Sequence, residues 1–152
     1  MNNNVILRSL RYTFDYDDDR MIKIFGLAEL TVSRAEVSDW LKKEDDPNFK
    51  PINDLYLANF LNGMIIHLRG KKENSLPVPE KRLNNNLILR KLKIALNLKN
   101  EDILDILESV DRYLSPHELS AFFRKPDQSQ FRLCKDQIMR NFLHGLQLNY
   151  RN

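Results

Sequence analysis

Cysteine is almost missing from this chain: one residue, Cys134, in 152. That excludes a disulfide framework and a cysteine-based zinc site. Glycine is nearly as scarce. Gly26, Gly63, Gly70 and Gly145 are all isolated, so there is no glycine-rich phosphate loop. No run of about 18 apolar residues occurs, and nothing in the sequence is expected to cross a membrane as a helix. Met1-Asn2-Asn3-Asn4 offers neither a charged n-region nor a long apolar stretch, so no secretory signal is expected and a cytoplasmic location is. Neither sign of charge dominates: 24 Lys+Arg stand against 21 Asp+Glu, a net charge of +3. So mild an excess does not by itself specify a nucleic-acid ligand. What is present is globular in composition, 42% hydrophobic and 30% charged, with room for one ordinary domain or two small ones.

The chain is written twice. Asn2-Asn3-Asn4 returns as Asn84-Asn85-Asn86, Ile6-Leu7-Arg8 as Ile88-Leu89-Arg90, and Phe60-Leu61-Asn62-Gly63 as Phe142-Leu143-His144-Gly145, always at an offset of 82. Pairing 2–69 with 84–151 compares 68 positions without a gap and yields 20 identities. The apolar positions agree further, as in Leu10/Leu92, Val37/Leu119 and Trp40/Phe122. The reading is a duplicated unit: a first helical repeat over 1–69, a linker over 70–83 containing Pro77 and Pro79, and a second repeat over 84–152. At about 68 residues each copy is small for an independent core, so the two should pack together. Both a pseudo-twofold and a head-to-tail arrangement are open.

Each copy reads as four helices, making the fold class all-α. Helix one follows the Asn run, whose side-chain oxygens can cap free amides. Helix two opens at Asp17-Asp18-Asp19 or Asn100-Glu101-Asp102, where acids suit the helix dipole. Helix three begins with a capping box, Ser33-Arg34-Ala35-Glu36 or Ser115-Pro116-His117-Glu118, and closes near the basic pairs Lys42-Lys43 and Arg124-Lys125. Helix four starts near Asp54 or Asp136 and carries Gly63 or Gly145 in its interior. A glycine there at both copies predicts a close helix crossing.

Catalytic chemistry is not expected. His67, His117 and His144 face Asn149, Ala35 and Asn62 in the other copy, and no two of them form a metal-ligating i, i+4 pair. Cys134 opposes Ile52, which favours a buried side chain over a reactive thiol. Glu44-Asp45-Asp46 lacks the alternating oxygen ligands of a calcium loop and reads as a solvated turn. No cofactor and no metal are implied.

Basic residues do survive the comparison of copies. Six positions carry Lys or Arg in both: Arg8/Arg90, Arg11/Lys93, Lys42/Arg124, Lys43/Lys125, Lys50/Arg132 and Arg69/Arg151. Arg8, Arg11, Lys43, Lys50, Arg90, Lys93, Lys125 and Arg132 are therefore the candidate nucleic-acid contacts, with DNA or RNA as the partner. Residues 1–72 hold 11 basic and 11 acidic side chains, and residues 73–152 hold 13 and 10, so the second half carries the whole net charge of +3. The alternative is a protein–protein adaptor with a groove between the repeats. A small-molecule pocket between the copies is a third reading.

Two resemblances bear on this. The stretch from Asp19 through Glu29-Leu30-Thr31-Val32 to Ser33-Arg34-Ala35-Glu36-Val37 resembles the helix-turn-helix of phage-repressor-like domains, although its turn lacks the usual glycine. The whole chain, through Asn2-Asn3-Asn4, Trp40-Leu41-Lys42-Lys43-Glu44-Asp45-Asp46-Pro47, Phe49-Lys50-Pro51, Phe60-Leu61-Asn62-Gly63 and Arg69-Gly70, is similar to a small bacterial family often called YehS-like, built from two copies of a domain of unknown function. That resemblance implies a cytoplasmic bacterial protein and assigns no activity.

Overall fold

The computed structural model describes residues 1–71 and 76–151. Of the segment read as a linker, residues 72–75 lie outside the described residues, as does Asn152. Among the described residues there are eight helices and no strand: α1 (Asn3–Phe14), α2 (Asp18–Leu27), α3 (Arg34–Leu41), α4 (Asp54–Arg69), α5 (Asn85–Ala95), α6 (Asn100–Glu108), α7 (Pro116–Phe122) and α8 (Asp136–Tyr150). The chain is thus all-α, two tandem copies of one four-helix unit. Even the strained backbone is duplicated. Asp15 and Asn97 both take φ 54°, and Glu29 and Asp111 take φ 65° and 60°, at positions 82 apart.

The three asparagines at the head of each copy divide their labour. Only the first is a cap: Asn2 Oδ1 accepts from the Val5 amide at 3.0 Å, and Asn84 Oδ1 from the Leu87 amide at 2.9 Å. Helix one therefore begins inside the Asn run, not after it. The second asparagine reaches forward to helix four, Asn3 Nδ2 donating to Asp54 at 2.7 Å and Asn85 Nδ2 to Asp136 at 2.8 Å. The third is buried and holds the loop between helices three and four. Asn4 Nδ2 donates to the carbonyls of Trp40 and Lys50, both at 2.8 Å, and its Oδ1 accepts from the Ile52 amide at 3.2 Å. Asn86 repeats all three bonds with Phe122, Arg132 and Cys134 at 3.0, 2.8 and 2.9 Å. A buried backbone loop needs partners for its polar groups, and one amide side chain provides three of them.

Both capping boxes form as the sequence predicts. Ser33 and Ser115 accept from the amides of Glu36 and Glu118 at 3.0 Å, and each glutamate returns a bond to the cap amide at 2.9 Å. The predicted close crossing is also present. A Cβ on Gly63 would fall against the carbonyl of Ile24, and one on Gly145 against that of Ile106, residue for residue the same contact.

The copies pack as a pseudo-twofold pair. α4 lies along α5 and α1 along α8, so helix one of each copy meets helix four of the other. The same exchange appears in single bonds. The Leu83 amide donates to Asp54 Oδ2 at 2.9 Å, and the Met1 amine, 82 residues earlier, donates to Asp136 Oδ2 at 3.1 Å. Reciprocity of this kind is what an isologous interface requires. One apolar core runs through both copies, from Leu7, Leu10, Phe25, Phe60 and Met64 to Leu89, Leu92, Phe142 and Leu146.

Candidate functional site

The pseudo-twofold sorts the six matched cations into two corresponding faces. Because helix four crosses to the other copy, the last pair is exchanged: Arg151 joins the face built on α1, and Arg69 joins the face built on α5.

On the α1 face the cations are largely neutralised from within. Arg8 Nη1 donates to the Lys42 carbonyl at 2.8 Å, and Nη2 lies 3.5 Å from Glu44. Lys42 pairs with Asp39 at 2.6 Å, and Lys50 lies 3.8 Å from the same carboxylate. The hydrogen bond from Lys42, with the charges of Lys42 and Lys50 behind it, holds the Asp39 carboxyl below its ordinary range. Arg151 stacks its guanidinium 3.8 Å over the Tyr12 ring, donates to the Tyr12 carbonyl and lies 3.6 Å from Asp15. Arg11 is half-buried in the last turn of α1, and Lys43 is exposed.

The α5 face keeps the cations and lacks three of the acids. Asp15, Asp39 and Glu44 are replaced there by Asn97, Ala121 and Pro126. Arg90 donates to the Phe123 carbonyl at 2.8 Å, and Arg132 to the Phe131 carbonyl at 2.9 Å. Lys93 donates to Asn100 Oδ1 at 2.6 Å with its ammonium 4.5 Å over the Phe123 ring. Among the described residues, the carboxylate pairs reaching the second copy are Met1–Asp136, Lys91–Glu80 and Arg151–Asp15, and none includes Arg90, Lys93, Arg124, Lys125 or Arg132. Two cavities of about 480 and 430 Å³ run along α5 and share Arg69, Arg90 and Ile94. A third of about 130 Å³ continues past Arg90 to Arg124 and Lys125. Of the predicted contacts, Arg90, Lys93 and Lys125 are thus brought together with Arg69 and Arg124, whereas Arg8 and Lys50 share the α1 face with acids.

The helix-three resemblance does not contribute cations to either face. Six residues, 28–33, separate α2 from α3, longer than the three or four of a helix-turn-helix. Arg34, the basic residue of α3, is held by Asp19 and lies 3.6 Å from Asp18. α7 contains no Lys or Arg.

The remaining titratable groups are dispersed. His67 is half-buried, edge-on to Tyr16 at 5.9 Å, and its pKa is lowered by burial and then by Arg20 and Lys23. His117 and His144 are exposed. Cys134 is buried, and desolvation pushes its thiol up to about 12. Among the described residues no three His, Cys, Asp or Glu side chains group as metal ligands, and no helix is long and apolar enough to cross a membrane.

Comparison of copies by their cations alone missed the site's defining feature. The signal lay in the acids, at Asp15/Asn97, Asp39/Ala121 and Glu44/Pro126.

An all-α tandem duplication with one neutralised and one cationic face is the class of protein defined here. The chain belongs to the family described as "Protein of unknown function (DUF1456)", whose model matches residues 3–70 and again 85–152. It is 42% identical over 147 residues to the uncharacterized protein YehS of Escherichia coli (strain K12), covering 96% of this chain and 94% of that protein. No solved structure matches.

Proposed function

We propose that this protein is a non-enzymatic nucleic-acid-binding protein that engages the phosphate backbone of DNA or RNA through its α5 face. The observation that carries this reading is the selective loss of acids. The duplication keeps six cations on each face but retains Asp15, Asp39 and Glu44 only on the first. Cations needed only for packing would keep their partners in both copies. Cations left without carboxylates on one face are available to phosphates, whose neutralisation releases counterions. The third helices have no part in this, since Arg34 is already paired and α7 has no cation.

The test is a filter-binding titration with single- and double-stranded oligonucleotides at two salt concentrations. Binding should weaken as salt rises. Charge reversal at Arg90, Lys93 and Arg132 should lower affinity and flatten the salt slope by about one unit per phosphate contact removed. Charge reversals at the exposed Lys43 and Lys50 on the α1 face should have little effect. Absence of binding at low salt would remove the reading.

One observation favours an adaptor instead. The 480 Å³ cavity between α4 and α5 has apolar walls, Ile65, Ile66, Leu87 and Ile94, beside the Lys91–Glu80 pair. In that case substitutions of Ile65 and Ile94, not charge reversals, would abolish partner binding.

A further inference from the structure

The loop after helix three is built alike in the two copies. Asp46 N donates to the Lys43 carbonyl at 3.0 Å, and Gln128 N to that of Lys125 at 3.0 Å. Phe49 N donates to Asp46 at 3.0 Å, and Phe131 N to Gln128 at 3.1 Å. Lys50 N reaches Asp39 at 3.3 Å, and Arg132 N reaches Ala121 at 3.2 Å. From Lys43 and Lys125 onward the two loops therefore share their backbone bonds, although α7 ends one position earlier than α3, Phe123 N bonding Ser120 where Lys42 N bonds Asp39.

In the first copy this loop delivers a carboxylate to a set of donors. Glu44 Oε1 accepts from Asn2 Nδ2 at 2.8 Å and lies 3.5 Å from Arg8 Nη2. The Asn2 hydrogen bond, a backbone hydrogen bond and then Arg8 hold the Glu44 carboxyl below its ordinary range, so it stands there as an anion. In the second copy the corresponding residue is Pro126, and the donors remain. Asn84 uses its Oδ1 to cap α5, while its Nδ2 has no partner among the described residues. Arg90 stands where Arg8 does and also donates to a backbone carbonyl at the end of helix three, that of Phe123, one residue before the counterpart of Lys42. Around the position where Glu44 sits in the first copy lies the cavity of about 130 Å³, lined by Asn84, Arg90, Arg124 and Lys125, with Pro126 and Phe131 at its wall. That is several times the roughly 30 Å³ a water molecule occupies in the liquid.

We infer that this cavity is an oxyanion subsite for a phosphate group, which occupies in the second copy the place that the Glu44 carboxylate fills in the first. The first copy is the internal comparison: the same two donor positions, Asn2 and Arg8, already grip an oxyanion there. The charge argues for phosphate over a single carboxylate. In the first copy Asp39 takes Lys42, leaving Glu44 to balance Arg8. In the second, Ala121 frees Arg124, so three cations face the cavity, and two of them are guanidiniums suited to bidentate oxygen recognition. The inference deepens the nucleic-acid reading and rests on it only for the source of the phosphate, a phosphodiester backbone or a free phosphate.

Inorganic phosphate is the first probe, titrated into the full chain at constant ionic strength and followed by the side-chain amide signal of Asn84 and by melting temperature. The expected result is a saturable shift and a raised melting temperature. Pro126→Glu places a carboxylate in the cavity and should weaken phosphate binding by about tenfold or more. Arg124→Gln should weaken it too, with an unchanged fold in the absence of phosphate, which guards against misfolding of the proline variant. Conversely, Glu44→Ala should open a phosphate response at Asn2 that the native chain lacks. A phosphate response that is absent, or unchanged by both Pro126→Glu and Arg124→Gln, overturns the subsite. A labelled oligonucleotide is the second probe. Phosphate binding without oligonucleotide binding keeps the subsite and removes the nucleic-acid reading. Oligonucleotide binding that neither variant disturbs, beside a phosphate response that both weaken, keeps the subsite and makes free phosphate its ligand.

Discussion

Asn4 and Asn86 each make three hydrogen bonds from positions that are 1% and 6% exposed. An alanine at either would leave two carbonyls and an amide without partners, and each buried orphan costs about 1–3 kcal/mol. Asn4→Ala and Asn86→Ala should both lower the denaturant midpoint sharply, more than Asn2→Ala, which removes only two exposed bonds, the cap and the contact with Glu44. Equal effects at all three positions would contradict the division of labour among them. Cys134 gives a pH signature. Its thiol titrates at 9.0 ordinarily and about 12 in the fold. Between those values the unfolded chain binds fewer protons than the native one, so stability must fall as pH rises, with a limiting slope of about 1.4 kcal/mol per pH unit. Stability measured from about pH 8 to about pH 11 should decline more steeply in the native chain than in Cys134→Ala. The same burial means that a thiol reagent should label Cys134 only as fast as the chain opens.

At the scale of helices, glycine separates packing from propensity. Gly63 and Gly145 admit no Cβ because a carbonyl of the crossing helix occupies the space, whereas Gly26 on α2 has nothing within 4 Å. Gly63→Ala should destabilise by about 1–3 kcal/mol or more, as overpacking does. Gly26→Ala should stabilise by up to about 1 kcal/mol through helix propensity alone. Thermal melts of the two variants should therefore move in opposite directions. Helix starts and this crossing were legible in the sequence because their causes are local or recur at a fixed offset: a serine before Glu36, a glycine at both copies. The Asn run was half legible. Capping is a local event and could be read, but the reach of Asn3 to Asp54 and of Asn4 to Trp40 depends on where distant segments lie. The site shows the same boundary. Matched cations could be read from the alignment, yet the crossing of Arg69 to the α5 face follows from how the copies dock, which pattern and composition do not encode.

For the molecule as a whole, each copy is the other's missing half. α1 and α4 bury their outer sides against α8 and α5, and the apolar core is continuous across the join. Residues 1–71 produced alone would present both surfaces to water. That fragment should pair with itself, helix one of each chain on helix four of its mate, or else remain unfolded. Sedimentation and circular dichroism read the outcome, and a folded, stable monomer would mean that the docking of copies is not needed for folding. A symmetric dimer of identical chains would carry two identical faces, and any substitution would alter both. Fusing the copies lifts that constraint, and here the two faces differ by Asp15, Asp39 and Glu44 on one side and Asn97, Ala121 and Pro126 on the other. The molecule therefore has an electrical direction despite its near-symmetric backbone. With three carboxylates on the α1 face and none at the matching positions of the α5 face, the potential of the two faces differs, which favours approach of a negative surface to the α5 face before any contact forms. On the proposed reading, a polyanion would therefore meet one binding face per molecule: one site, where the duplicated fold alone would suggest two.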